Sequence, residues 1–479
     1  MIYFWTIIAY LLILIVVGAW RSRQVKTQAD FMVAGRGLNT FVLVGTLVAT
    51  WIGTGSIFGN AEKTYEVGIA SLILPISGIA GIIVLYFLAG RVRRFKQFTV
   101  QDILEARFNK YARVFGTITV VIAYVTIVSY QYRAGGAVIN IINPNIDPQL
   151  AIIIAAVFVI LYTALAGMIS VAYTDLVNGI IIIIGICLAV PLFWIKAGGI
   201  SGLQQILPSD HFQFKGVFSG WEYVGLLLPA FLLMLGDANM YQRFFSAKNE
   251  ATAKKSVIYM LVGVAVIEIL IIVTAWFASG LNWGIDSPGR IIVYAVHDHL
   301  PVALGAIIIA TIIAIIVSTA DSYLLVPSTA IVRDIYQRFI EPDASPKKLI
   351  LMSRLSVITL GIIAYILSTL DDRFLAVALY AYTIYGAGIT PALMAAFFWK
   401  RATTAGGISS IIVGTFVTVI WKNWDLGSSV PQYLGLADGT QIDAVIPAII
   451  LSVLTLVVVS LATPPPSPEK WRPFFENSK

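Results

Sequence analysis

The sequence predicts an all-α polytopic membrane protein, and three observations predict it. The 479 residues are 58% hydrophobic and 12% charged, about half the charge of an ordinary soluble domain. The apolar residues gather in runs of about 20, the length that crosses a bilayer as a helix. The runs are also continuous, as at Ile180–Ile184 and Ala306–Ala310, without the alternation of barrel strands.

Thirteen spans are predicted, at about 3–20, 38–56, 66–90, 114–142, 149–166, 170–195, 220–242, 256–280, 300–332, 349–370, 374–399, 403–421 and 441–462. They are numbered 0 to 12 here. Span 0 has no basic segment before it and no small-residue cleavage site after it. Arg21 and Arg23 follow instead, as behind a retained span. Orientation follows from the basic residues. With the N-terminus outside and the C-terminus inside, 25 of the 32 Lys and Arg fall on inside segments. Six fall outside, namely Lys63, Lys196, Lys215, Arg290, Arg373 and Lys422, and Arg133 lies within span 3. One missed or invented span mid-chain would destroy this split. The same bias explains the net charge of +7, which therefore calls for no nucleic-acid partner. No linker is long enough to join a soluble domain, and Thr463-Pro-Pro-Pro-Ser-Pro468 reads as a helix stop before an inside tail that ends at Lys479. The single cysteine, Cys187, excludes an internal disulfide and a cysteine metal site. His211, His297 and His299 fall in outside loops and suggest no metal site.

Two spans read as interrupted. Span 1 holds Thr50-Trp-Ile-Gly-Thr-Gly-Ser56 in mid-run, and span 6 holds Pro229 and then Gly236-Asp237. Broken helices five spans apart point to an inverted-repeat transporter with its site at the break. Close helix packing alone also uses such glycines. In span 8, positions 315, 318, 319 and 322 share one helix face. Ser318, Thr319 and Ser322, with Asp321 on the flank, form an oxygen-rich strip suited to a hard cation. Freed carbonyls of a broken span 1 would complete its shell. Hydroxyls bonded back to their own helix, with Asp321 paired to a base, are the plainer alternative.

Buried charges are costly and mark function or pairing. Asp175 lies in span 5. Arg133 is either the partner of Asp175 or Asp321 or a clamp for a substrate carboxylate. Glu268, midway along span 7, is given no role.

Four segments in order resemble the sodium:solute symporter family. They are Gly35-Arg-Gly-Leu38, Ala166-Gly-Met-Ile-Ser-Val-Ala-Tyr-Thr-Asp175, Asn239-Met-Tyr-Gln-Arg243-Phe-Phe-Ser-Ala-Lys248, and Ser318-Thr-Ala-Asp-Ser322 with Asp334-Ile-Tyr336. The resemblance implies a LeuT-type 5+5 inverted repeat in the cell membrane. Residues 1–37 would be an added span and its loop, 38–196 the first repeat, 197–400 the second, and 401–479 spans 11 and 12 with the tail. It implies a sodium ion held by the backbone carbonyls of Ala49, Ile52 and Ile315 and the hydroxyls of Ser318 and Thr319. The family often has alanine where Ile315 stands. A second sodium in some members maps onto Asp175, Asp321 and Ser322. The candidate solute residues are Trp51, Thr54 and Ser56 of span 1, Glu66 given to span 2, Gln131 and Arg133 of span 3, and Tyr382 and Tyr385 of span 10.

The expected function is sodium-coupled import of a small polar solute by alternating access. Arg133 favours a carboxylate-bearing solute, such as an organic acid, amino acid or acidic sugar. A neutral solute, or a quaternary amine such as choline caged by Trp51, is the alternative. Proton coupling through Asp175 and Asp321 stays open. A channel would show repeated charged rings along a continuous pore, a sensor an appended domain, and an enzyme a nucleotide or hydrolase motif. The chain shows none of these.

Overall fold

The computed structural model describes residues 2–214, 217–371, 373–433 and 441–475, so Lys215 and Lys479 of the charge count lie outside the described residues. Among the described residues, twelve helices are long and apolar enough to cross a membrane. They fall where the apolar runs place span 0 and spans 2 to 12. A shorter apolar helix, Thr40–Trp51, begins span 1. No strand ladder forms among the described residues; one isolated bridge joins Leu38 to Ala247 and ties the entry of span 1 to the end of span 6.

Span 1 departs from the sequence reading. Its first helix stops at Trp51 because Ile52 turns extended, with φ −73° and ψ 98°. A π-helical turn, Gly55–Gly59, and a second helix, Asn60–Val67, carry the span on by eleven residues beyond 56. Polar residues from Asn60 to Glu66 hid this half, because a lipid-facing helix cannot be so polar. This one lines protein and a cavity instead. Glu66 therefore belongs to span 1, not to span 2. The separation comes at Gly68, whose φ of +65° is open to glycine at little cost. A Cβ there would also lie 2.2 Å from the carbonyl oxygen of His211. Span 2 proper is Leu74–Arg94.

Span 6 is likewise two helices, Gly220–Gly236 and Ala238–Ser246, parted at Asp237 where the sequence placed the interruption. Span 10 parts at Ile389 into Phe374–Gly388 and Thr390–Phe398, which the sequence reading did not foresee. Span 8, Val302–Ala330, belongs to the most enclosed of these spans, so its hydroxyls face protein and not lipid. It packs against span 3, Lys110–Ile142, and span 5, Met168–Lys196. Spans 0, 11 and 12 are at most one-third buried and wrap the outside of the bundle.

Candidate functional site

A helix that breaks inside a membrane releases carbonyls that need partners, because lipid offers none. At the break in span 1 the partners come from span 8. Ser318 Oγ lies 3.0 Å from the Ala49 carbonyl oxygen, 2.7 Å from that of Ala314 and 3.3 Å from that of Ile315. Thr319 Oγ1 lies 3.2 Å from the Ile52 carbonyl oxygen. All of these residues are buried. A hydroxyl has one proton to donate, so Ser318 cannot satisfy three carbonyls at once. The carbonyls of Ala314 and Ile315 already accept backbone N–H bonds within the span-8 helix, so the freed carbonyls of Ala49 and Ile52, gathered with the two hydroxyls, are the oxygens that a small hard cation could share. Glycine permits the approach: a Cβ on Gly53 would sit 2.8 Å from both Thr319 Cγ2 and Oγ1.

The break in span 6 is satisfied differently. Tyr385 donates to the Gly236 carbonyl at 2.7 Å, Thr390 to Leu232 at 2.7 Å, and Tyr241 to Leu235 at 3.0 Å. Asp237 accepts from Tyr124, from Tyr323 at 3.1 Å and from the Asn239 amide at 2.9 Å, so it caps the second half-helix.

Between the span-1 break and the first half of span 6 lies a small cavity of about 60 Å³ lined by Trp51, Ser56, Asn60, Glu268 and Tyr382 among others. It adjoins a vestibule of about 350 Å³ at Leu226, Leu375 and Leu379. The vestibule is bounded by helix ends that the charge count puts outside.

The sodium:solute symporter family model matches residues 31–414, which is most of the chain. The chain belongs to the sodium:solute symporter family. Relatives span its length. The osmoregulated proline transporter OpuE of Bacillus subtilis is 24% identical, over 97% of this chain and 96% of that one. The high-affinity proline transporter PutP of the same organism is 25% identical, over 95% and 97%. Among solved structures, a sodium-coupled sialic acid symporter in a substrate-bound, outward-open state superposes with a TM-score of 0.82 at 20% identity, covering 97% and 98% of the two chains. The fold is LeuT-type. This symporter is a multi-pass protein of the cell membrane that couples sodium to a small solute, and it is not an enzyme.

The remaining residues of this symporter fall partly where the sequence led. Trp51, Ser56 and Tyr382 line the inner cavity. Thr54 and Gln131, both wholly buried, bond to one another beside the break. Three expectations for the solute residues need correction. Glu66 faces the outer vestibule and pairs with Lys63 at 2.9 Å. Tyr385 is committed to the span-6 carbonyl. Arg133 does not line the inner cavity, and its Nη1 donates to the Ser368 carbonyl oxygen at 2.5 Å, at the end of span 9.

The partner of Asp175 is Arg243, not Arg133. Arg243 Nη2 lies 3.2 Å from Asp175 Oδ2, and both side chains are fully buried. Arg243 Nη2 also donates to Ser322 Oγ at 2.7 Å and its Nε to Thr46 Oγ1 at 2.9 Å, while Thr46 donates to Asp175 at 2.6 Å. A guanidinium thus stands among the residues that the resemblance offers to a second sodium. Among the described residues, Asp175 Oδ1 and Asp321 Oδ2 have no hydrogen-bond partner. Sequence reasoning missed Arg243 by counting it as an inside charge. The signal was there: Asn239, Gln242, Arg243 and Ser246 share the i, i+3, i+4, i+7 face of a helix within a motif already singled out.

Proposed function

We propose that this symporter imports a small amino-acid-like solute with one sodium ion, which is held by the carbonyls of Ala49, Ile52 and Ile315 and the hydroxyls of Ser318 and Thr319. The convergence of the freed Ala49 and Ile52 carbonyls on the Ser318 and Thr319 hydroxyls carries the reading. A cation there takes the lone pairs that Ser318 and Thr319 protons cannot reach, and it joins span 1 to span 8. Where Asp175, Asp321 and Ser322 would hold a second ion, Arg243 already supplies the positive charge, which favours a single sodium. The proline transporters among the relatives support an amino acid, and the carboxylate that this solute carries is met without Arg133.

Alternating access has a physical basis at both ends. On the side that the charge count makes cytoplasmic, Arg113 pairs with Asp102, with Glu105 at 2.7 Å and with Asp334 at 3.6 Å. Arg338 pairs with Glu105 at 2.6 Å. These contacts fasten the end of span 8 to the segment before span 3. The other side keeps the 350 Å³ vestibule. Sodium shifts the balance between states only by its difference in affinity for them, and a contact bridging two separate helices has such a difference. The test is uptake of labelled L-proline into proteoliposomes under an inward sodium gradient, repeated with potassium. Ser318→Ala and Thr319→Ala are expected to raise half-activating sodium about tenfold or more, the scale of one lost charge-assisted contact. Sodium activation that is unchanged in both variants would count against the site.

A further inference from the structure

The inner cavity contains one ionisable carboxylate and no basic side chain. Glu268 of span 7, only 4% exposed, contributes to its wall. Ser56 donates to its Oε1 at 2.7 Å and Asn60 Nδ2 to its Oε2 at 2.9 Å. Both oxygens accept a hydrogen bond from span 1. The two donors sit on the second half of span 1, so Glu268 meets the segment that the break sets free. Trp51 and Tyr382 supply aromatic surface to the same small space, and indole and phenol faces attract cations.

The approach carries the same sign. Glu62, Glu66, Glu222, Asp425 and Asp443 line the outer vestibule, against the lysines Lys63 and Lys422. Trp221, Trp421 and Tyr380 add rings to that wall. A cleft of one predominant charge concentrates solutes of the opposite sign and speeds their capture.

We infer that Glu268 is the anchor for a positively charged nitrogen of the transported solute, approached through an acidic, aromatic vestibule. The solute class is then an ammonium compound, zwitterionic or cationic, and not a simple organic acid or a sugar. This rests on the symport reading above and narrows it. The inner space of about 60 Å³ is less than half of the roughly 150 Å³ that holds a benzene. The solute therefore enters as the second half of span 1 moves, and Ser56 and Asn60 carry that motion to Glu268. The nitrogen replaces the fit of an empty pocket with a charge pair away from bulk water, where such pairs gain strength.

The test uses the purified full-length protein in a thermal-shift assay, in sodium and in potassium buffers. L-proline, glycine betaine and choline carry the charged nitrogen; L-lactate and D-galactose do not. At least one of the first three is expected to stabilise the protein and neither of the last two. Glu268→Gln is expected to weaken that compound by about 10- to 100-fold and to leave the stabilisation by sodium alone unchanged, which also shows that the variant is folded. Glu268→Asp keeps the charge on a shorter arm. Its loss should be smaller than that of the glutamine variant, and it decides the matter if the latter does not fold, an unaltered affinity then counting against the anchor. Stabilisation by lactate or galactose, no response to any of the three nitrogen compounds, or a Glu268→Gln variant that weakens sodium and spares the solute would each overturn the proposal. Equal solute responses in potassium would sink sodium coupling and leave the nitrogen anchor standing.

Discussion

Gly53→Ala is the most direct probe of the contact between spans 1 and 8. The new methyl would lie 2.8 Å from Thr319 Cγ2 and Oγ1, whereas carbon atoms rest about 3.5–4.0 Å apart. The helices must part by about 0.7–1.2 Å, which carries Thr319 Oγ1 from its 3.2 Å contact with the Ile52 carbonyl to about 4 Å and out of hydrogen-bonding range. Overpacking of this size costs about 1–3 kcal/mol. Falling on the sodium-bound state, it raises half-activating sodium about 5- to 150-fold at 1.4 kcal/mol per decade. Sodium activation of uptake measures it. The reasoning makes a sharper demand in a double-mutant cycle. If the methyl acts through Thr319, then Gly53→Ala added to Thr319→Ala should cost less than about twofold more. An unchanged sodium requirement in Gly53→Ala, or losses that multiply in the double variant, would refute it.

Two further outcomes concern groups outside the sodium contact. Arg243→Gln leaves Asp175 and Asp321 buried without their cation, a loss of about 3–5 kcal/mol, and thermal unfolding in detergent should show a much lower midpoint. Arg243→Gln/Asp175→Asn should recover part of it, and a double variant no better than the single would disprove the pairing. Burial pushes the His211 imidazole below its ordinary range despite nearby Asp210. His211 packs edge-on to Trp283 with ring centroids 5.1 Å apart. The folded protein thus favours neutral His211, and its share of stability is complete above the unfolded value of about 6.5 and is lost as pH falls through and below it. His211→Asn should flatten the decline in melting temperature between about pH 7.5 and 5.5, and an identical decline in both proteins would contradict this.

Most of the fold was legible because lipid imposes it: apolar runs gave the spans, and the glycines of Gly53-Thr-Gly55 marked the break. The hydroxyl strip of span 8 was legible for the same reason, since its spacing repeats every helical turn. What could not be read was direction. Gln131 and Arg133 are two residues apart, about 200° around a helix. Gln131 is wholly buried beside Thr54, so Arg133 had to face away, yet nothing in the sequence says which of the two looks inward. Tyr382 and Tyr385 share a face but differ in depth by about 4.5 Å. One reaches the cavity and the other the span-6 break. Arg243 was hidden by a rule that is correct on average, that basic residues lie in cytoplasmic loops, at a site where a motif overrides it.

The two breaks look alike in sequence, each a glycine beside a hydroxyl or carboxyl in an apolar run, yet their partners give them different jobs. The span-6 carbonyls each receive a dedicated hydroxyl, from Tyr385, Thr390 and Tyr241, and Asp237 caps the restart. The three named acceptors there each have their own side-chain donor. In span 1 the carbonyls of Ala49 and Ile52 depend on Ser318 and Thr319, and Ser318 is shared with the carbonyls of its own helix. The released carbonyls of Ala49 and Ile52 keep lone pairs that a cation could take. On the reading proposed above, ion coupling belongs to the first break and mechanical support to the second. Substitutions that free a span-6 carbonyl, such as Tyr385→Phe, act on stability, whereas substitutions at Ser318 and Thr319 act on the sodium requirement.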